Sequence, residues 1–109
     1  MSAALFVAQR LSAVVLALAV AVHLGTILYA VRGGLTAGDI LARTHGNVWL
    51  AGFYATFVIA VAVHAPIGLR NVIREWTPWR GGSLDLVLAI FAVMLLVLGM
   101  RAVLAVYAA

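Results

Sequence analysis

Two histidines are the side chains of this sequence whose type and setting could do chemistry. His23 and His64 each lie inside a long run without charged residues. An ionisable side chain at membrane depth is costly, so it is a functional hypothesis by default. Neutral imidazole is a ligand of haem iron, and helical bundles build cofactor sites from facing side chains. For each histidine, haem ligation and simple hydrogen bonding to a neighbouring helix are the two interpretations.

The residues around His64 suit a flat ring. Ala60 and Gly68 lie one helical turn before and after His64 on the same face, where small residues let a ring or another helix approach. Pro66 has no N–H to donate to the carbonyl one turn earlier, so we expect the helix to bend near its end. Arg70 follows one turn later and could pair with a propionate. The alternative is that His64 hydrogen-bonds across helices and Gly68 is a packing notch.

The other histidines have weaker support as ligands. His23 shares its helix face with Thr26 and Ile27, so it could donate to a neighbouring carbonyl instead of binding a metal. His45, in the stretch RTHGN, is expected to be an interfacial or capping residue.

The composition excludes a soluble domain. Of 109 residues, 67% are hydrophobic and 9% are charged, whereas a soluble domain has about a quarter of its residues charged. The absence of cysteine excludes disulfides and thiolate-bound metals. The net charge of +4 comes from arginines, and without a soluble basic face it indicates anchoring at the membrane surface rather than nucleic-acid binding.

Three membrane-spanning helices must position the histidines. Uncharged intervals cover 11–31, 44–69 and 86–100, and about 20 apolar residues span a bilayer as a helix. The sequence predicts an all-α membrane protein: one transmembrane domain over 1–109, with helices at about 5–31, 47–69 and 84–107, forming half of a larger helical bundle. The segment 32–39 is predicted to be a loop or short interfacial turn, and 74–83 a second loop. The first span is too long for a cleaved signal peptide.

The arginines near the helix ends give the orientation. Arg10, Arg70, Arg74 and Arg80 lie on one side, and Arg32, Arg43 and Arg101 on the other. This small excess predicts that the N-terminus and the second loop face the cytoplasm. Arg101 is expected to snorkel to lipid headgroups.

The predicted depths separate the two histidines. His64 lies six residues from Arg70, or about 9 Å at helical rise, whereas His23 lies thirteen residues from Arg10, or about 20 Å. Two ligands of one iron must lie at nearly one depth, because each metal–nitrogen bond is about 2 Å long. We therefore expect that each histidine, if it is a ligand, pairs with a histidine of another subunit.

Two stretches resemble a known family. HAPIGLRNVIRE, residues 64–75, resembles the His-x-x-x-Gly-hydrophobic-Arg-His-x-x-x-Asp signature of the cytochrome b membrane subunits of succinate dehydrogenase and fumarate reductase. QRLSA, residues 9–13, resembles that family's His-Arg-hydrophobic-Ser/Thr-Gly at the start of the first helix. The three-helix layout is also similar. The chain departs from the signatures at Gln9, Ala13, Asn71 and Glu75, and Phe6 stands where the family has a quinone-contacting serine.

The resemblance implies a role for each matching residue. His64 would be an axial ligand of haem b, and Arg10 and Arg70 would lie on the haem propionate and quinone side. Ser12 is the nearest hydroxyl to replace the missing quinone contact. Family members with two haems imply that His23 is a ligand of a second, outer haem.

The resemblance also implies partners and a location. The chain would be a multi-pass subunit of a bacterial cytoplasmic membrane, with a flavoprotein subunit and an iron–sulfur subunit on its cytoplasmic side. A second membrane subunit or a second copy would supply the remaining histidines, and quinone would be the substrate. The dehydrogenase active site would belong to the partners. The alternatives are a haem-free anchor of the same complex type and a small three-helix transporter or assembly protein.

Overall fold

The computed structural model describes residues 2–108 and is almost entirely helical. The helices are α1 (Ala3–Gly33), α2 (Ala37–Thr44), α3 (Val48–Trp76) and α4 (Gly82–Ala108). Of these, α1, α3 and α4 are each long and apolar enough to cross a membrane. The predicted all-α membrane class is therefore confirmed. The terminal positions 1 and 109 of the predicted domain lie outside the described residues.

Of the three long helices, α3 is the one that packs against both others. α1 and α4 make little or no contact with each other, and α2 packs against α4. The described residues extend over 49 Å by 23 Å by 22 Å. We call the side with the start of α1, the end of α3 and the start of α4 the N-terminal end. The opposite side, which carries α2, is the α2 end.

Little of the apolar surface is buried within the chain. The buried hydrophobic residues are Ala19, Ala60, Leu84, Leu88 and Val103. Even on the central helix, Ile59 is 51% exposed. Lipid tails are as apolar as these side chains, so lipid can cover them without cost. This exposed apolar surface is compatible with the expected half of a larger bundle, which stays a prediction.

The second span runs further than predicted. α3 continues beyond position 69 to Trp76, and the connection to α4 is reduced to 77–81. Thr77 is extended, with φ −134° and ψ 161°, because a residue that precedes a proline avoids the helical region. The Arg80 guanidinium then donates to the carbonyl oxygens of Arg74 and Thr77 at the end of α3. The predicted loop at 74–83 is therefore too long at both ends.

The first connection contains a short helix. The predicted loop at 32–39 gives way to α2 after three residues, 34–36. Thr36 and Asp39 form a capping box, in which the Asp39 N–H donates to the Thr36 hydroxyl and the Thr36 N–H donates to the Asp39 carboxylate. Gly34 ends α1 with a φ of +119°, and a Cβ there would lie 2.3 Å from an Asp39 oxygen. The turn therefore requires glycine. His45 is the C-cap residue of α2, in line with its predicted capping role.

Hydrogen bonds fasten α2 to both neighbouring spans. The Arg43 guanidinium donates to the Gly34 carbonyl at the end of α1, at 2.7 Å. The Thr44 hydroxyl donates to the Val106 carbonyl of α4, at 3.0 Å, and the Gly46 N–H donates to the Tyr107 carbonyl, at 2.9 Å. These bonds hold α2 against the ends of α1 and α4.

Candidate functional site

His64 contacts the first span through a hydroxyl group. Its Nδ1 lies 3.4 Å from the Ser12 Oγ of α1. Ser12 is only 6% exposed and is the one buried polar residue among those described. The contact therefore joins α1 to α3 within the membrane-spanning part of both helices.

The Ser12 hydroxyl lies between the Gln9 carbonyl oxygen, at 3.1 Å, and the His64 Nδ1. It has a single hydrogen to donate. When that hydrogen goes to the Gln9 carbonyl, Ser12 accepts from His64, so Nδ1 carries the proton and Nε2 has a free lone pair. This tautomer is the one that ligates a metal through Nε2, with the Nδ1 hydrogen bond orienting the ring. The assigned quinone contact of Ser12 stays a prediction, and orienting His64 is the role that its contacts support.

The notch beside His64 faces a side chain of this chain. A Cβ added at Gly68 would lie 3.3 Å from the Gln9 Nε2, so the Gln9 amide packs against Gly68. The Gln9 Oε1 is buried and has no hydrogen-bond partner among residues 2–108. Gly68 therefore serves at least as a packing notch between α1 and α3, which was the alternative interpretation.

The two arginines assigned to the N-terminal end have partners of their own. Arg70 forms an ion pair with Asp85 of α4, with 3.1 Å between its Nε and the carboxylate oxygen. A cavity of about 400 Å³ lies beside this pair and is lined by Pro66 and Ala62. Arg10 is exposed, and its guanidinium carbon lies 6.0 Å from the centre of the Phe6 ring. The structure therefore does not bring either arginine into contact with His64.

His23 lies in an aromatic setting that the sequence did not reveal. Its Nδ1 is 3.4 Å from the Tyr54 hydroxyl of α3, and the ring makes edge contacts with Tyr54 and Phe57. The Thr26 hydroxyl donates to the His23 backbone carbonyl, at 2.7 Å. The signal for Tyr54 was only its place on an apolar span, which does not say which helix it faces.

A cavity of about 690 Å³ extends from His23 to the α2 end. Its walls come from α1, α2 and the start of α3 and are mainly apolar, and among the described residues that line it Arg43 is the one formal cation. The lining residues are His23, Thr26, Ile27, Tyr29, Ala30, Ile40, Arg43, Thr44, Asn47, Trp49, Leu50 and Tyr54. This volume falls within the usual range of ligand sites.

The contacts place the two histidines at different levels. His64 lies level with Ser12, and His23 lies level with Tyr54, which precedes His64 by ten positions on α3. At 1.5 Å per residue the levels differ by about 15 Å. The predicted difference of about 11 Å has the same direction. Within one chain the two imidazoles do not meet at one iron, and no group of three or more His, Asp or Glu side chains that could hold a metal ion occurs between residues 2 and 108.

Comparisons with protein-family models, with curated proteins and with solved structures found no match for this chain.

Proposed function

We propose that this chain is the membrane-anchor, haem b-binding subunit of a succinate:quinone oxidoreductase. The observation that carries the proposal is the Ser12–His64 hydrogen bond. It holds a partly exposed imidazole against α1 among three helices that are long and apolar enough to span a membrane, and the Nε2 lone pair is free for a ligand when Ser12 donates to the Gln9 carbonyl. The similarity of residues 64–75 and 9–13 to the family signatures supports the choice of haem over other metal groups.

The residues around His64 fit a haem held between subunits. One nitrogen of the ring is engaged by Ser12, and the Gln9 amide occupies the side of α3 that faces α1. A haem would therefore lie towards a second membrane subunit, which would supply the other axial histidine. Haem would contribute a one-electron carrier within the membrane, tuned by its axial ligands and its burial. Arg10 at the N-terminal end is exposed and free to meet a propionate or a quinone.

The N-terminal end suits the docking of soluble partners. It carries Arg74 at the end of α3 and Arg80 in the connection 77–81, together with the exposed Trp76. In the proposed complex an iron–sulfur subunit and a flavoprotein subunit bind here, and electrons pass from an iron–sulfur cluster to quinone near Arg10. Oxidation of succinate or reduction of fumarate takes place in those partners.

A haem-free anchor of the same complex type is the second candidate. It is favoured by the Gln9 side chain in the Gly68 notch and by the hydrogen bond that already satisfies His64. In this case the Ser12–His64 pair would only hold α1 against α3.

The test is an absorption spectrum of the complex purified through a tag on this chain. We expect a flavoprotein and an iron–sulfur protein to co-purify, and a reduced-minus-oxidised spectrum with the α-band of a b-type haem. A complex with both partners but no haem band would identify the haem-free anchor. A chain that purifies without a flavoprotein would contradict the assignment to this complex and favour a transporter or assembly protein.

Single substitutions then assign the haem to a histidine. His64→Ala should remove a haem from the complex, because no other described residue offers an imidazole at that level. His23→Ala should remove a second, outer haem if the complex holds two. His45→Ala is the matched control, since His45 is exposed and contributes only its backbone to the α2 cap. Unchanged haem content in the His64 variant would contradict the assignment.

A further inference from the structure

The cavity at the α2 end contains a guanidinium that is in no ion-pair contact. Arg43 lines it, and no carboxylate among the described residues lies within ion-pair distance of Arg43. Asp39, one helical turn earlier, is near enough for the two charges to interact but makes no direct contact with the guanidinium. Of the five N–H donors that an arginine has, one donates to the Gly34 carbonyl. The remaining donors are left for an anion.

Arg43 lies at the level of the lipid headgroups. It bonds to the residue that ends α1, and its guanidinium carbon lies 5.9 Å from the centre of the Tyr29 ring. The 31 residues of α1 span about 46 Å, close to the thickness of a bilayer with its headgroup regions. Tyr29 and the highly exposed Trp49 also line the cavity, and both residue types prefer this interface.

Below Arg43 the cavity is apolar and elongated along the helices. Ile27, Ala30 and Leu50 line it, and it reaches His23, ten positions before the end of α1. That distance is about 15 Å of helix. A cation at the headgroup level above an apolar channel is complementary to a molecule with an anionic head and a hydrocarbon chain.

We propose that the α2 cavity binds an anionic phospholipid, with the phosphate on Arg43 and an acyl chain against Ile27, Ala30 and Leu50. Basic pockets between membrane helices recognise such headgroups, and arginine binds phosphate through several N–H groups at once. The site is independent of the proposed haem on His64, because His64 lies about 15 Å along α3 from the level of His23, which the cavity reaches. Loss of one would leave the other intact.

The experiment compares two lipids of identical acyl chains, phosphatidylglycerol and phosphatidylcholine. The delipidated protein, in the complex in which it purifies, is titrated with each lipid in detergent, and the bound lipid is counted by native mass spectrometry. We expect phosphatidylglycerol to bind about fivefold more tightly, the usual effect of one arginine near the membrane surface. Equal binding of the two lipids would overturn the proposal.

Variants of Arg43 separate its charge from its structural bond to Gly34. Arg43→Gln should abolish the preference, whereas Arg43→Lys should retain most of it because the charge remains. Arg101→Gln is the matched control, since Arg101 is exposed on α4 and outside the cavity. An undiminished preference in Arg43→Gln would overturn the proposal.

Two further measurements test other occupants of the cavity. Inorganic phosphate at millimolar concentration should not displace phosphatidylglycerol, and full displacement would identify a site for a free anion instead. The haem content of Arg43→Gln should equal that of the unmodified complex. A loss of haem in this variant would assign Arg43 to a haem propionate and would overturn the lipid assignment.

Discussion

The two ends of the molecule hold one histidine each in opposite surroundings. At the N-terminal end, the ring nitrogen of His64 meets a buried serine, and an amide side chain packs against the glycine one turn later. At the α2 end, His23 meets a tyrosine and opens onto a cavity of about 690 Å³. The first histidine has a buried hydroxyl partner and little space beside α1. The second has space but a hydroxyl partner that can either donate or accept.

A histidine that ligates haem needs room beside its ring and a free lone pair on one ring nitrogen. The two histidines show that these are separate requirements. Ser12 has a second acceptor, the Gln9 carbonyl, and when its hydrogen goes there His64 carries its proton on Nδ1. Tyr54 imposes no such choice, since its hydroxyl has no second acceptor among the described residues. A haem at His64 therefore depends on a partner subunit for its space, whereas one at His23 would depend on the Tyr54 proton.

The largest effect is expected on haem binding, from removal of the hydroxyl group that contacts His64. Removal of the one that contacts His23 is the comparison. Ser12→Ala should weaken haem binding at His64 about 10- to 100-fold, the usual cost of losing the hydrogen bond behind a ligating histidine. Tyr54→Phe should leave that haem unchanged, because Tyr54 contacts His23 instead. The haem affinity of both variants is measured by titrating the complex with an apoprotein that competes for haem.

The conservative variant Ser12→Thr keeps the hydroxyl and should restore most of the affinity. If Ser12→Ala retained haem as tightly as the unmodified chain, the hydrogen bond would have no part in ligation and only its role in helix packing would remain.

The sequence was sufficient for the spans but not for the neighbours of the histidines. Long apolar stretches identify α1, α3 and α4 whatever their packing, although Arg101 interrupts the third. The extension of α3 to Trp76 could have been read from Pro78, because a proline disfavours the helical conformation only of the residue before it, whereas the predicted helix end at 69 lies nine positions before Pro78. The pairing of Ser12 with His64 and of Tyr54 with His23 could not have been read from the sequence. Both depend on the rotation of α1 about its axis, and an all-round apolar helix gives no amphipathic face to define it.

The space between a helical glycine and the neighbouring helix also differs between the two ends. A Cβ at Gly99 of α4 would lie 2.4 Å from a methyl group of Val58, which is branched next to the backbone and cannot move aside. A Cβ at Gly68 would lie 3.3 Å from the far end of the flexible Gln9 side chain. Gly99→Ala should therefore destabilise the protein by about 2 kcal/mol through overpacking, and Gly68→Ala by much less.

Gly25→Ala is the matched control, because nothing lies within 4 Å of a Cβ at that position. It should raise stability by up to about 1 kcal/mol through helix propensity alone. Unfolding in mixed detergent micelles measures the stability of all three variants. If Gly99→Ala were as stable as Gly25→Ala, α3 and α4 would not approach as closely as the structure shows.

The smallest effect is expected at the cap of α2, outside the membrane spans. The pKa of Asp39 is held below its usual 3.8, chiefly by the hydrogen bonds from the Thr36 side chain and backbone, with a further contribution from the Arg43 charge. Because the folded state binds this proton less readily than the unfolded state, the carboxylate stabilises α2 fully above pH 3.8. That stabilisation is lost as the pH falls through the lowered pKa.

An NMR titration of the Asp39 amide in nanodiscs measures this pKa directly. The midpoint should lie below 3.8, and Thr36→Ala should move it back towards that value, because the variant removes the largest of the lowering contributions. A midpoint at or above 3.8 in the unmodified chain would mean that the capping box does not form. The α2 end would then lose the feature that distinguishes it from the N-terminal end, since α2 holds Arg43 against the end of α1 and closes the cavity above His23.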